Sequence, residues 1–262
     1  MYDKAMQKKD NSNDNAVSKK DNSNESTQDF LFTARNGSEE GRRVHQEYAT
    51  DDRTSNDNAV SKKDKYGVFG GTFDPVHCGH MEVARRAILE CGLDKLIVVP
   101  ANEQPLKTDR ALAPGHHRMN MLKLAFSSDD NIVISDIELK KGSLSYTVDT
   151  LRDIRRIYGE AEIFFVVGID SFLKIELWKE PGALLRDFPF IVAVRPGYME
   201  NELEELAARV KESFGARIFR ISNALIPVSS TKVRDGIRLG EDFGDGLVSE
   251  VKVYITENGL YT

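Results

Sequence analysis

Three runs of this chain are too uniformly apolar to be strands with one wet face: LDKLIVVP at 93–100, AEIFFVVG at 161–168 and FIVAVRPG at 190–197. A half-exposed strand alternates apolar and polar side chains. A parallel strand covered on both faces reads instead as an unbroken β-branched and aromatic run. Segments with helical spacing separate these runs. HMEVARRAILECG at 80–92 keeps one apolar stripe and stops at a glycine, as a helix C-terminus does. PGHHRMNMLKLAFSS at 114–128, YTVDTLRDIRRIYG at 146–159, WKEPGALLRDF at 178–188 and MENELEELAARVKESFG at 199–215 read as further helices. NIVISDIEL at 131–139 and ARIFRIS at 216–222 complete the strands, and SSTKVRDGIRLG and LVSEVKVYITENG read as closing helices. Alternation of this kind predicts an α/β fold with a doubly wound parallel sheet. Ligands in such a sheet bind at the carboxyl ends of the strands, where the strand order reverses.

The alternation begins at Tyr66. Residues 1–65 are rich in Asn, Ser, Asp and Lys, and the segment SNDNAVSKKD occurs at 12–21 and again at 55–64. So few apolar groups cannot offset the entropy of ordering the chain, so a disordered low-complexity extension is expected before a folded domain at 66–262. The net charge of −6 argues against a nucleic-acid or membrane-surface partner. The two cysteines, Cys78 and Cys91, form no metal-binding spacing, which suits a reducing compartment. With no signal-like or membrane-spanning apolar run, a cytoplasmic protein is expected. A homo-oligomer is compatible with all of this.

One stretch lies where a strand should pass into a helix: FGGTFDPVHCGHMEVARR at 69–86. Gly70 and Gly71 let the backbone turn sharply and approach a ligand closely. The helix after Gly79 offers free N–H groups and a positive dipole end, together an anion site suited to phosphate. The spacing is neither GxGxxG nor GxxxxGK[ST]. Instead the cradle carries His77 and His80, which can donate to phosphate oxygens and, if protonated, add positive charge. A second phosphate-compatible stretch is PVSSTKVRDGI at 227–237. Its hydroxyls can cap a helix, Lys232 and Arg234 bring charge to the helix start, and Arg234 shares a face with Thr231.

GGTFDPVHCGH resembles the signature of the HxGH nucleotidyltransferase superfamily, and PVSSTKVRDGI resembles that superfamily's second signature, with Val228 in place of isoleucine. SLSYTVDTL at 143–151, VVGIDSFLKIELWKEPGALL at 166–185 and RPGY at 195–198 further resemble segments of bacterial nicotinate-nucleotide adenylyltransferase. The resemblance covers 66–262 and none of 1–65. It implies a Rossmann-like sheet and transfer of AMP from ATP, with Mg2+, to nicotinate mononucleotide. It makes His77 and His80 catalytic, with Gly70, Gly71, Thr72, Phe73, Gly168, Asp170, Ser230, Thr231 and Arg234 on ATP. It puts Lys107, Thr147 and Trp178 on the mononucleotide, and it implies no protein-held metal. Apart from the resemblance, Thr147 and Asp170 read as helix N-caps. The chain departs from the family at Leu106, where a histidine is common. Sister enzymes such as pantetheine-phosphate adenylyltransferase, and a non-catalytic nucleotide-binding module, are the alternatives.

Overall fold

The computed structural model describes residues 63–102, 112–142, 144–194, 199–222, 228–241 and 246–262. Residues 1–62 of the low-complexity extension expected at 1–65, the site expectation for Lys107, the departure at Leu106 and the RPGY segment lie outside these residues. Six strands form one all-parallel sheet in the order β3-β2-β1-β4-β5-β6. They are β1 (Lys65–Gly71), β2 (Lys95–Pro100), β3 (Ile132–Ile134), β4 (Glu162–Gly168), β5 (Phe190–Val194) and β6 (Ile218–Ser222). The order reverses between β1 and β4, which are neighbours, so the doubly wound expectation is met.

Each strand sends alternate side chains to opposite faces, and both faces are covered. Leu96 and Val98 of β2 and Phe164 and Val166 of β4 enter one core. There they meet α1 (Cys78–Cys91), α2 (Gly115–Ala125), α8 (Ser230–Leu239) and α9 (Ser249–Glu257). Ile97, Val99, Phe165 and Val167 enter the other core. It is closed by α4 (Thr147–Tyr158), α5 (Ile169–Phe172), α6 (Pro181–Asp187) and α7 (Glu200–Phe214). This two-sided burial is why the runs read as continuously apolar. Among the described residues, no helix is long and apolar enough to cross a membrane.

Three local expectations are corrected. Of NIVISDIEL, only Ile132–Ile134 is strand; the chain then turns into the short α3 (Ile137–Lys141). The turn buries Glu138, whose carboxylate accepts a hydrogen bond from Thr150 Oγ1 at 2.6 Å. The helix at the signature begins at Cys78, ahead of Gly79, with His77 at its N-cap. The N-cap positions of α4 and α5 are held by Tyr146 and Gly168, so Thr147 and Asp170 lie inside the first turns. Gly92, in the left-handed region, ends α1 as its sequence position suggested.

Phe190 is fully buried, with ring centroids 5.8 Å from Phe165 and 5.4 Å from Phe172. Phe190→Ala should cost about 3–5 kcal/mol of stability, read as a lower urea midpoint at unchanged slope.

Candidate nucleotide-binding active site

The carboxyl ends of β1 and β4 open into a cleft of about 540 Å³. Its wall contains Gly70 and Gly71 at the end of β1, Thr72, Phe73 and His77 of the β1–α1 connection, and His80 in the first turn of α1. Gly168 at the end of β4, Asp170 in α5, Thr147 at the start of α4, and Trp178 complete the expected residues found there. Ser229 lines the cleft, whereas Ser230, Thr231 and Arg234 do not.

The two histidines are held as a unit. The rings of His77 and His80 stack at 3.7 Å between centroids, 23° from parallel. The His77 backbone N–H donates to His80 Nδ1 at 3.3 Å. An accepting Nδ1 carries no proton, so neutral His80 keeps its hydrogen on Nε2 as a donor. On the other side, the Phe73 ring meets His80 edge-on at 5.0 Å and Phe69 at 5.3 Å. A Cβ at Gly71 would lie 2.9 Å from the Phe73 ring, so only glycine lets that ring reach its place.

The 72–75 connection is anchored from several elements. Arg118, 2% exposed, donates to the carbonyls of Thr72 (2.9 Å), Ala101 (2.6 Å) and Ala113 (2.9 Å). Burial pulls its pKa below the ordinary guanidinium value, and the nearby Asp74 carboxylate opposes that shift. Ser229 caps α8 by accepting from the Lys232 N–H at 3.2 Å. Ser230 Oγ donates to the Pro75 carbonyl at 2.9 Å. Buried Arg234 donates to the Asp74 carbonyl at 2.6 Å and to Thr231 Oγ1 at 3.1 Å. The second signature thus meets the first in space, through contacts to its backbone.

The other half of the cleft is built around Trp178, whose ring meets Phe165 edge-on at 5.9 Å. The residues after it are tied to α4. Lys179 Nζ donates to Asp149 at 2.9 Å and lies 4.6 Å from the centre of the Tyr146 ring. Arg152 donates to both carboxylate oxygens of Glu180, at 3.2 and 2.7 Å. The Asp149 carboxylate holds the Lys179 ammonium pKa above its ordinary value, and Arg152 pulls that of Glu180 below its own. Among the described residues, no group of three or more His, Cys, Asp or Glu side chains could hold a metal ion.

A family model described as cytidylyltransferase-like matches residues 68–236. A Clostridium tetani protein named "Probable nicotinate-nucleotide adenylyltransferase" is 34% identical over 197 residues, covering 75% of this chain and 98% of its own length. A Moorella thermoacetica protein of the same name is 37% identical over 198 residues, 75% of this chain and 91% of that one. The chain belongs to the nicotinate-nucleotide adenylyltransferase family. A Plasmodium falciparum nicotinic acid mononucleotide adenylyltransferase, solved in complex with NaAD, superposes with a TM-score of 0.62 at 22% identity. That match covers 76% of this chain and 97% of that one, and it speaks to the fold alone.

For this nicotinate-nucleotide adenylyltransferase family member, sequence reasoning missed Arg118 and Tyr261. Arg118 had a signal, since it occupies the apolar stripe Arg118, Met121, Leu122, Ala125, where a lone charge needs buried partners. Tyr261, whose hydroxyl donates to Asp74 Oδ1 at 2.7 Å, had none. Gly71→Ala should displace Phe73 and with it His80. A misplacement of that kind is expected to lower kcat by about 10- to 100-fold, measured as pyrophosphate release, with the circular dichroism of the fold unchanged.

Proposed function

We propose that this chain transfers the AMP moiety of ATP to nicotinate mononucleotide, forming nicotinate adenine dinucleotide and pyrophosphate, a step of NAD biosynthesis. The observation that carries this reading is that the paired histidines and the Trp178–Thr147 wall meet in one cleft at the switch point. The domain expected at 66–262 would do this work in the cytoplasm, where Cys78 and Cys91 stay thiols. The ATP is taken as its Mg2+ complex, the ion held by phosphate oxygens and water.

An oxygen of the acceptor's 5′-phosphate attacks the α-phosphorus in line. The bond from that phosphorus to the α–β bridging oxygen breaks, and pyrophosphate leaves with the electron pair. A phosphate monoester is already an anionic nucleophile near neutral pH, so positioning and charge stabilisation suffice. In this reading His80 donates from Nε2 to the α-phosphate oxygens as charge builds there, and His77 supports the triphosphate. Gly70, Gly71, Thr72 and Phe73 bring backbone to the phosphates, and Gly168 and Asp170 hold the adenosine ribose. Ser230, Thr231 and Arg234 serve the β- and γ-phosphates, with Arg234 also fixing the Asp74 carbonyl. Trp178 stacks on the pyridine ring, Thr147 holds its carboxylate and Lys107 grips the acceptor phosphate.

The deciding experiment measures pyrophosphate release from Mg-ATP with nicotinate mononucleotide, its amide and 4′-phosphopantetheine in parallel. Release with the nicotinate form supports the reading. Preference for phosphopantetheine overturns the acceptor half, and ATP binding without release overturns catalysis. His80→Ala should lower kcat on the order of 100-fold or more. Trp178→Ala should instead raise the acceptor KM by about tenfold, the loss of a stacking face, with the ATP KM unchanged. Equal weakening of both substrates would remove Trp178 from the acceptor pocket.

A further inference from the structure

The connection that carries the histidines is held in a backbone shape that its residues do not favour. Phe73 has φ +47°, in the left-handed region that side chains with a Cβ avoid. Such a conformation persists only where its surroundings over-determine it. Arg118 fixes the carbonyl before Phe73, and Arg234 fixes the one after it. The next anchor is the Asp74 carboxylate, 1% exposed, which accepts from the Ala113 N–H at 3.2 Å and from the Tyr261 hydroxyl at 2.7 Å.

Tyr261 follows the last turn of α9 and is far in sequence from the site. It is itself in the left-handed region, at φ +68°. A strained tyrosine is therefore hydrogen-bonded to the carboxylate of the residue that directly follows a strained phenylalanine. That phenylalanine, Phe73, is the ring packed against His80.

We infer that Tyr261 is a positioning residue for adenylyl transfer: through Asp74 it holds Phe73 in its strained conformation and so sets the place of His80 in the ATP half of the cleft. Tyr261 touches none of the reacting atoms. Without its hydroxyl, the Asp74 side chain loses a donor, Phe73 relaxes toward negative φ, and its ring withdraws from His80. The acceptor half, built on Trp178 and α4 over the opposite face of the sheet, does not feel this change. The inference rests on the proposed function for its kinetic consequence and on the hydrogen bonds for its structural one.

The test compares Tyr261→Phe with Tyr254→Phe. Tyr254, on α9, has a hydroxyl bonded to His117 Nδ1 at 2.9 Å and to Asn120 Nδ2 at 2.9 Å, away from the cleft. Both variants delete one satisfied hydroxyl at the C-terminal side of the chain, so both should shift the urea midpoint modestly. Tyr261→Phe should lower kcat/KM for ATP by about tenfold, the scale that one hydrogen bond to a charged group controls. Its acceptor KM should stay within about twofold of the parent, a limit well inside that scale, and Tyr254→Phe should match the parent in every kinetic parameter. Kinetics of Tyr261→Phe indistinguishable from those of Tyr254→Phe would overturn the inference. So would equal weakening of ATP and acceptor, which marks general loosening. If the parent chain binds ATP but releases no pyrophosphate, the proposed function falls. The calorimetric Kd of the two variants for ATP then still decides the role of Tyr261, with weaker binding required of Tyr261→Phe alone.

Discussion

A parallel strand buried on both faces has nowhere to do chemistry except at its ends. Here that constraint is complete for β2, β4 and β5, whose central side chains all lie within one core or the other. The glycine pair Gly70–Gly71 and the paired histidines accordingly lie where β1 ends and α1 begins. The reversal of order between β1 and β4 then opens a gap between two of those connections. The cleft follows from the topology before any functional side chain is considered.

The gap is lined by loops, and loops are the least ordered part of such a fold unless something ties them down. The tie on the histidine side is buried and charged: Asp74, Arg118 and Arg234 are each under 10% exposed. Buried charges are costly when alone and rigid when satisfied. Arg118 spends its donors on three carbonyls from two connections, Thr72 after β1 and Ala101 and Ala113 after β2, so it works as a rivet joining loops that are distant in sequence. A lysine could not replace it, since a single ammonium cannot reach three carbonyls in the plane of a guanidinium fork. The histidines owe their geometry to these partners as much as to their own helix.

How much of this was legible beforehand depended on how local the physics is. The strands β2, β4 and β5 announced themselves because two-sided burial leaves its mark on every residue of the run. The cradle at 69–86 was legible because a tight turn, a helix start and a close approach of backbone each demand a particular residue at a particular place. NIVISDIEL misled because Glu138 alternates correctly for a strand, yet its carboxylate is satisfied by Thr150, which only the folded chain brings near. Tyr261 and Asp74 are 187 positions apart, and no periodicity in either segment encodes that meeting. Arg234 illustrates the middle case. Its place on the face of Thr231 could be read from spacing, but its grip on the Asp74 carbonyl could not.

The two halves of the cleft belong to opposite faces of the sheet, and they are held by different forces. Phe69 and Phe73, beside His80, belong to the core under α1, α2, α8 and α9; Tyr146 and Trp178 pack against the other core. The first half is locked by buried hydrogen bonds. The second is closed by ion pairs between α4 and residues 179–180, whose side chains are 31–44% exposed. Exposed pairs of this kind contribute little rigidity, and salt screens them. A reaction that joins two bound substrates needs one of them fixed relative to the charge-stabilising groups, while the other must enter and the joined product must leave. The rigid half is the one bearing the histidines, where, on the proposed assignment, a small displacement would cost most. On the proposed assignment the more yielding half would take a flat ring, whose stacking tolerates sliding along the face of Trp178. The division of labour between buried and exposed charges thus follows the division of the sheet into two faces.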